Sequence, residues 1–211
     1  MRIESLERRR GQQFCLRLED GREWLLDKHT VEESPWQEGS DISEEELEAL
    51  ALASSIRRAR EYALYLLSLR DYSEVELRRK LREKGYTDQS VDTAARMAEL
   101  GLVNDEVYAR RLARDCRLRK FYGRRRTVQE LCARGIARET AEIAVDEVDE
   151  TENLTDLQQA LALLEKKRYN ASDTDKTRQR GIALLQRYGY DSSVVREAFR
   201  CLTENAYELG E

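Results

Sequence analysis

Residues 120–136 read KFYGRRRTVQELCARGI, and the pattern of their last six residues recurs twice elsewhere in the chain. The three copies are LREKGY at 81–86, LCARGI at 131–136 and LQRYGY at 185–190. Glycine just past the end of a helix adopts a left-handed backbone conformation, and the apolar residue after it folds back onto that helix. A Leu-x-x-x-Gly-(Tyr/Ile) ending repeated at intervals of 50 and 54 residues therefore predicts three helical repeats.

Each repeat is predicted to contain three helices. They span 56–70, 73–84 and 88–100 in the first repeat, 105–121, 124–134 and 138–148 in the second, and 154–168, 174–188 and 192–204 in the third. The residue types that cap helix N-termini precede several of these helices: Ser73, Asn104, Asp173 and Asp191. The predicted domains are 56–101, 102–150 and 151–211, and three such repeats stacked in sequence form an elongated, curved solenoid.

The first 55 residues differ from this pattern and are predicted to start with β-structure. RIESLE at 2–7 is a candidate strand, and QFCLRL and EWLL flank the turn residues Asp20-Gly21, which is a strong hairpin signal. Residues 30–42 are predicted to be a linker. Ser43 and Glu46 form a capping box for a short helix over 44–52, which either turns or continues into the next helix. The predicted fold class is mainly α, with a small N-terminal β-hairpin or meander.

Several function classes lack their usual sequence signals. No apolar run approaches the ~18 residues that span a bilayer, and the N-terminus has no apolar segment of a secretory signal. The cysteines are far apart, which predicts reduced thiols and a cytoplasmic protein: Cys15, Cys116, Cys132 and Cys201. The chain also lacks a glycine-rich phosphate loop, and its single histidine, His29, has no cysteine near it. We therefore predict no enzymatic activity and no cofactor or metal.

Charge is distributed unevenly along the chain. Residues 56–137 carry 20 basic and 12 acidic side chains, whereas both flanking segments are net acidic. The segment from Arg110 to Arg126 has nine basic residues and one acid, Asp115. Such a distribution predicts an anionic partner for the middle of the molecule.

The basic residues of this segment form a candidate binding face for a protein or DNA partner: Arg110, Arg114, Arg117, Arg119, Lys120, Arg124, Arg125 and Arg126. The last three open a helix, where cations oppose the helix dipole, so an arriving anion would stabilise them. Phe121 and Tyr122 are candidates for stacking on bases, although Phe121 fits a core position equally well. The alternative is that the arginines pair with acids of the same chain, such as those at 142–152. The acidic run 146–150 is otherwise expected to be a solvated helix end.

A second, weaker candidate cluster lies on the second helix of the first repeat: Arg78, Arg79, Lys80, Arg82 and Lys84. Glu74, Glu76 and Glu83 alternate with these cations, so pairing between residues three or four apart explains much of the cluster.

Three segments in order, YSEVELRRKLREKGY, LGLVNDEVYARRLARD and YGRRRTVQELCARGI, resemble the signature segments of RecX, the bacterial regulator of the RecA recombinase. The resemblance covers about 56–148 and extends more weakly through the third repeat. The matching residues are Ser73, Glu76, Leu77, Lys80, Leu81, Gly85, Gly101, Asn104, Asp105, Tyr108, Ala109, Gly123, Leu131, Gly135 and Ile136. Two features depart from the family pattern: Arg124 stands where members often have proline, and the third repeat has few signature residues.

The resemblance implies a protein of tandem three-helix repeats, without catalytic activity, that acts in DNA repair, homologous recombination and the SOS response. It implies binding in the groove of the RecA filament on single-stranded DNA and suppression of ATP hydrolysis, co-protease activity and strand exchange. DNA phosphates are expected as further contacts, and the protein is expected to be a monomer. The alternative function is independent nucleic-acid binding through the basic middle repeat. A metal-dependent nuclease is a third, much weaker hypothesis.

Overall fold

The computed structural model describes residues 1–11, 13–170 and 174–208, with side chains as far as residue 204. The chain forms two compact units, Met1–Val103 (unit 1) and Asn104–Glu211 (unit 2). Most of the described residues are helical, and one small sheet lies near the N-terminus. The predicted fold class is therefore confirmed, while the domain boundaries stay predictions.

Unit 1 begins with a three-stranded antiparallel sheet of β1 (Ile3–Arg8), β2 (Gln13–Leu18) and β3 (Glu23–Asp27), in that order. The predicted turn at Asp20-Gly21 joins β2 to β3, and Gly21 has a φ of +83°. Leu16, Leu18 and Leu26 are buried on one face of the sheet, against the first turns of a long helix. The alternating apolar pattern of the sequence thus became the core face of the sheet.

The segment expected to be a linker, 30–42, is helical at its start. Helix α1 (Lys28–Glu33) follows β3 directly, because the Asp27 carboxylate accepts a hydrogen bond from the Thr30 N–H at 3.0 Å and caps the helix. The short helix expected at 44–52 also continues without a break: α2 spans Glu44–Leu69, and its capping box of Ser43 and Glu46 is present. The sheet and the first three-helix repeat therefore share one helix.

The remaining helices follow the predicted repeats. In unit 1, α2 packs with α3 (Glu74–Glu83) and α4 (Ser90–Glu99). Unit 2 contains α5 (Asp105–Arg114), a π-helical turn (Asp115–Arg119), α6 (Arg124–Ala133), α7 (Arg138–Thr151), α8 (Asp156–Lys166), α9 (Asp175–Arg187) and α10 (Ser192–Glu208). Ser73 and Asn104 cap α3 and α5 as predicted. Asp173 lies outside the described residues, and Thr174 caps α9.

The recurring Leu-x-x-x-Gly-(Tyr/Ile) sequence is a helix C-cap in all three repeats. Gly85, Gly135 and Gly189 have φ values of +101°, +84° and +88°. The N–H group after each glycine donates to the carbonyl of the recurring leucine: Tyr86 to Leu81 at 3.0 Å, Ile136 to Leu131 at 3.2 Å and Tyr190 to Leu185 at 3.2 Å. All three leucines are fully buried. Each contributes roughly 1.5–3 kcal/mol of burial energy, so one motif both ends a helix and anchors a core.

Candidate functional site

The candidate site is built around Arg117, which lies in the π-helical turn after α5. A π-helical turn adds a residue to the helix and so changes the direction of the side chains within it. Arg117 is 0% exposed and is one of the largest fully buried side chains of the protein. The prediction that Arg117 belongs to an exposed basic face is therefore wrong.

Two carboxylates from different helices surround the Arg117 guanidinium group. Its Nε and Nη2 donate to the two carboxylate oxygens of Asp149, at 2.7 and 3.0 Å. Its Nη1 donates to Asp156 at 2.6 Å and to the Tyr122 carbonyl oxygen at 2.7 Å. Asp149 is near the end of α7 and Asp156 starts α8, so this buried group ties the second repeat to the third within unit 2.

Burial and charge act in opposite directions on these groups. Burial alone would lower the pKa of Arg117, but its hydrogen bonds and charge interactions with Asp149 and Asp156 outweigh burial, and the pKa is raised. Burial also raises the pKa of Asp149, and Arg117 offsets only part of that increase. Arg117 thus stays charged, and the two carboxylates compensate its buried charge.

The anion expected at the N-terminus of α6 belongs to the chain itself. The backbone N–H of Arg124 donates to both carboxylate oxygens of Asp156, at 3.2 and 3.4 Å. The Arg124 guanidinium group pairs with Asp146 on α7, with its Nη2 at 3.2 Å from Oδ2. For Arg124 the alternative interpretation, pairing within the chain, is the correct one.

Two further arginines on α5 pair with acids on and just after α7. Arg110 lies 3.2 Å from Glu147, and Arg114 lies 2.8 Å from Glu152. Both arginines remain largely exposed, and exposed pairs of this kind contribute about 0–1 kcal/mol to stability. They occupy the predicted face, but part of their charge is already neutralised.

Arg126 contacts the third repeat rather than solvent alone. Its Nη1 donates to the Arg187 carbonyl oxygen at 2.7 Å, and its guanidinium carbon lies 4.5 Å from the centroid of the Tyr122 ring. Gly189 packs so closely on Arg126 that a Cβ at position 189 would lie 2.6 Å from the backbone nitrogen of Arg126. The hydroxyl of Tyr190 donates to the Phe121 carbonyl oxygen at 2.8 Å, and burial raises the pKa of this tyrosine.

Phe121 contributes to a core instead of offering a free ring. It packs against the apolar cluster of the third repeat, with Lys166 Nζ 4.5 Å from its ring centroid. Its φ of +56° is unusual for an aromatic residue, and the surrounding contacts hold this conformation. Of the two alternatives for Phe121, the structure favours the core position.

Three cations of the predicted face point mainly into solvent: Arg119, Lys120 and Arg125. The Arg119 side chain is 84% exposed, and Arg119 and Lys120 share Asp115 as a partner at 3.4 Å. Arg125 is exposed and has no ion pair within the part of the chain that the structure describes. Arg119, Lys120 and Arg125 are the exposed cations of the predicted face whose charges are not paired, within the described chain, with acids on or just after α7.

Two members of the second cluster, Arg79 and Lys80, are paired within helix α3. Lys80 lies 2.6 Å from Glu83, and Arg79 lies 3.7 Å from both Glu76 and Glu83. The hydrogen bond between Lys80 and Glu83 raises the pKa of the lysine and lowers that of the glutamate. The other members are Arg78, which is half-buried, and Arg82 and Lys84, which are exposed.

Asp149, Asp156 and Tyr190 are important residues of the site that the sequence did not indicate. The acidic run 146–150 was expected to be a solvated helix end, yet Asp149 is half-buried against Arg117. No sequence pattern links Arg117 to acids 32 and 39 residues later. Tyr190 follows the third motif glycine, but only the structure places its hydroxyl near Phe121.

Features of other site classes are scarce in the described part of the chain. No three His, Cys, Asp or Glu side chains among the described residues are arranged to hold a metal ion. His29 is exposed on the short helix α1, and all four cysteines are free thiols. Among the described helices, none is both long and apolar enough to cross a bilayer.

Two family models match the helical repeats. The model described as RecX, first three-helix domain, matches residues 59–95, and the model described as RecX, second three-helix domain, matches residues 104–145. The regulatory protein RecX of Trichlorobacter lovleyi is 34% identical over 144 residues, covering 65% of this chain and 90% of that protein. The chain belongs to the RecX family.

Other RecX proteins extend the likeness over more of the chain. The regulatory protein RecX of Clostridium perfringens is 32% identical over 178 residues, covering 81% of each protein. A solved structure described as regulatory protein RecX has a TM-score of 0.66 and 20% identity, covering 94% of this chain and 98% of that one. It shows that the fold is RecX-like. As a RecX family member, the chain is a regulatory protein.

Proposed function

We propose that this RecX family member is a cytoplasmic inhibitor of RecA. It binds as a monomer in the groove of the RecA filament on single-stranded DNA and suppresses ATP hydrolysis, co-protease activity and strand exchange. Membership of the RecX family supports this proposal, and so does the regulatory name that its relatives carry. In this proposal the protein acts by binding and not by catalysis.

The contact surface of unit 2 consists of Arg119, Lys120 and Arg125. The observation that supports this choice is the difference between Arg125 and its two neighbours. All three arginines lie in the first turn of α6, where a cation costs a few tenths of a kcal/mol against the helix dipole. Arg124 and Arg126 offset this cost through Asp146 and the Arg187 carbonyl. Arg125 is exposed and has no such contact in the described chain, so an external anion would stabilise it.

The anions of the RecA–DNA filament are DNA phosphates and acidic side chains, and both fit arginine and lysine side chains. Guanidinium groups form two parallel hydrogen bonds with phosphate or carboxylate, which gives them geometric selectivity. Exposed cations also raise the association rate for a negatively charged filament. The proposal therefore predicts that inhibition weakens as salt concentration increases.

The test is a titration of RecA ATP hydrolysis on single-stranded DNA. It compares the wild type with Arg119→Ala/Lys120→Ala/Arg125→Ala and with a matched control that removes three exposed cations of the third repeat, Lys176→Ala/Arg180→Ala/Arg196→Ala. We expect the wild type and the control to inhibit at similar concentrations. The first variant should need at least about tenfold more protein to reach the same inhibition, because each lost phosphate contact weakens binding.

Each outcome has a distinct meaning, provided that circular dichroism shows the variants to be folded. Equal inhibition by all three proteins would retain RecA inhibition and reject this contact surface. A folded wild type that leaves cognate RecA unaffected would reject RecA inhibition. If that wild type still bound DNA with a steep salt dependence, independent nucleic-acid binding would become the better function.

A further inference from the structure

Three tyrosine rings form a row on the surface of unit 1. Tyr62 and Tyr65 lie on α2, and Tyr86 follows the helix-ending glycine of α3. The ring centroids of Tyr62 and Tyr65 are 6.3 Å apart with planes at 27°, and those of Tyr62 and Tyr86 are 6.2 Å apart with planes at 45°. These rings are neighbours although they come from two helices.

The row is fixed at one end and open at the other. Tyr62 and Tyr86 are half-buried and pack against the core of the first repeat, and the Tyr86 N–H bonds to the Leu81 carbonyl. Tyr65 is 58% exposed and touches the row through Tyr62. Because it is so exposed, most of its ring is free to contact another molecule. The half-buried pair, packed on the core, therefore supports the exposed ring of Tyr65.

Two cations lie close to rings of the row. Lys84 Nζ lies 5.6 Å from the Tyr62 ring centroid, and the Arg58 guanidinium carbon lies 5.9 Å from that of Tyr86. The α2 segment 57–70 contains four arginines and a single acid, Glu61. Lys84 belonged to the weaker candidate cluster, and its position over an aromatic ring distinguishes it from Arg79 and Lys80, which pair with glutamates.

Fold stability accounts for part of this arrangement but not for Tyr65. Tyr62 and Tyr86 contribute apolar burial and cation–π contacts to the fold. Tyr65 is more than half exposed, and Leu64 and Leu69 beside it on α2 are also exposed, at 47% and 62%. The exposed Tyr65 ring adjoins Tyr62, and Lys84 lies over the Tyr62 ring. An exposed aromatic ring close to a cation and to other exposed apolar side chains is a typical feature of binding surfaces.

We propose that the Tyr62–Tyr65–Tyr86 row, with Lys84 and Arg58, binds single-stranded nucleic acid directly, with an unpaired base stacked on Tyr65. Base stacking on an aromatic ring, next to cations that contact the backbone, is the general mode of sequence-tolerant single-strand binding. Duplex bases are stacked on each other and cannot reach the ring, so the row selects unpaired strands. This site lies in unit 1 and does not depend on RecA or on Arg119, Lys120 and Arg125 of unit 2.

The test measures binding of the full chain alone, without RecA, to two fluorescently labelled strands by anisotropy. One strand is oligothymidine, and the other has the same number of phosphates but abasic sugars. Stacking requires bases, whereas a purely electrostatic surface binds both strands alike. We expect the wild type to bind oligothymidine more tightly than the abasic strand, by roughly 5- to 150-fold for one stacked base.

Substitutions at Tyr65 assign that difference to the ring. Tyr65→Ala should lose most of the preference for oligothymidine, whereas Tyr65→Phe should retain it, because phenylalanine keeps the aromatic face. Leu69→Ala is the matched control, since it removes an exposed apolar side chain from the same helix. Lys84→Ala should reduce the slope of log affinity against log salt by about 0.7, the value for one phosphate contact on a single strand.

Several results would overturn the proposal. These are no binding of oligothymidine by the folded wild type, equal affinity for the two strands, or a Tyr65→Ala variant that keeps the wild-type preference. If oligothymidine does not bind while RecA ATP hydrolysis is still inhibited, the exposed tyrosine belongs to a protein contact instead. Loss of this site would leave the RecA proposal intact, and loss of RecA inhibition would leave this site intact.

Discussion

The two arginine-rich regions of the molecule use their charges differently. On α3 in unit 1, Arg79 and Lys80 pair with glutamates three or four residues away on the same helix. In the α5–α6 region of unit 2, Arg117 and Arg124 pair with acids 22 to 39 residues away on other helices. The ion pairs of α3 stay within one helix, whereas those of the α5–α6 region connect different helices and repeats.

This difference shows that a similar density of arginine can have opposite structural consequences. Pairs within a helix form wherever the spacing is right, and they remain in water, where their interaction is weak. The buried Arg117 has lost its water and depends completely on Asp149, Asp156 and the Tyr122 carbonyl. Substitutions in the two regions should therefore differ in their effect on stability, with the largest loss at the buried Arg117.

The largest effect is expected for Arg117→Met. The substitution removes the only positive charge that contacts both Asp149 and Asp156 among the described residues, and leaves these carboxylates without their main partner. Breaking a buried ion pair from one side costs about 3–5 kcal/mol. Urea unfolding followed by far-ultraviolet circular dichroism should show this loss of stability.

Arg119→Ala is the control, because the 84%-exposed side chain two residues later should cost less than about 0.5 kcal/mol. Both tryptophans, Trp24 and Trp36, lie in unit 1, so tryptophan fluorescence reports on that unit within the same experiment. Equal stability of the two variants would contradict a stabilising role for the Arg117 group.

A smaller difference is expected between the helix-ending glycines of the two regions. Gly85 and Gly189 both have positive φ, so alanine at either site should cost about 1–2 kcal/mol of backbone strain. Space around a new Cβ is open at Gly85, but at Gly189 the Arg126 nitrogen would be 2.6 Å away. Gly189→Ala should therefore cost about 1–3 kcal/mol more than Gly85→Ala.

Thermal and urea unfolding of the two alanine variants measure this difference directly. If Gly85→Ala were as destabilising as Gly189→Ala, the close contact between the second and third repeats would not contribute to stability. The comparison is internal, because the same substitution is made in the same motif.

Cys116, next to Arg117, should make stability fall at alkaline pH. Burial raises the pKa of its thiol from 9.0 to about 11. The folded state holds the thiol proton more tightly than the unfolded state does. The contribution of the protonated thiol to stability is therefore complete below pH 9 and is lost as the pH rises from about 9 to 11. The loss amounts to at most about 2.7 kcal/mol for the two pH units.

Stability measured by urea unfolding between pH 8 and roughly 11 should therefore fall less steeply for Cys116→Ala than for the wild type. Cys132→Ala is the control, because it removes an exposed cysteine and leaves the buried Cys116 thiol in place. Identical pH profiles for the wild type and Cys116→Ala would exclude the buried thiol as a source of alkaline destabilisation.

The smallest effect is expected for Lys80→Ala on α3. Its partner Glu83 is exposed and on the same helix, so both charges remain hydrated when the pair is lost. The melting temperature should stay within experimental error of the wild type, at low and at high salt. A clear destabilisation that disappears at high salt would mean that the α3 charges form a cooperative network.

The sequence predicted the elements of the fold well, and for local reasons. Helix ends follow from capping residues and from the glycine that permits a left-handed turn, as at Ser73 and Gly135. The missed helix α1 also has a local cause, since the Asp27 carboxylate caps it directly after β3. The curved arrangement of the repeats stays a prediction.

The candidate site was predicted less well because exposure is a property of the packed chain. Arg117 and Arg119 are two residues apart in one basic segment, yet the first is buried and the second is 84% exposed. The π-helical turn changes the direction in which these side chains point. No charge pattern in the sequence indicates that such a turn is present. The second interpretation, pairing within the chain, was correct for Arg110, Arg114, Arg117 and Arg124.

The sequence by itself determined the three repeats, their helix ends and the RecX family likeness, because each depends on residues at short, fixed separations. The tertiary structure decided which arginines are available to a partner and which hold the second and third repeats together. That choice depends on carboxylates far along the chain, such as Asp156, which reach Arg117 only after the helices pack. Burial then strengthens the charge interaction by removing water, and no local pattern can encode this change.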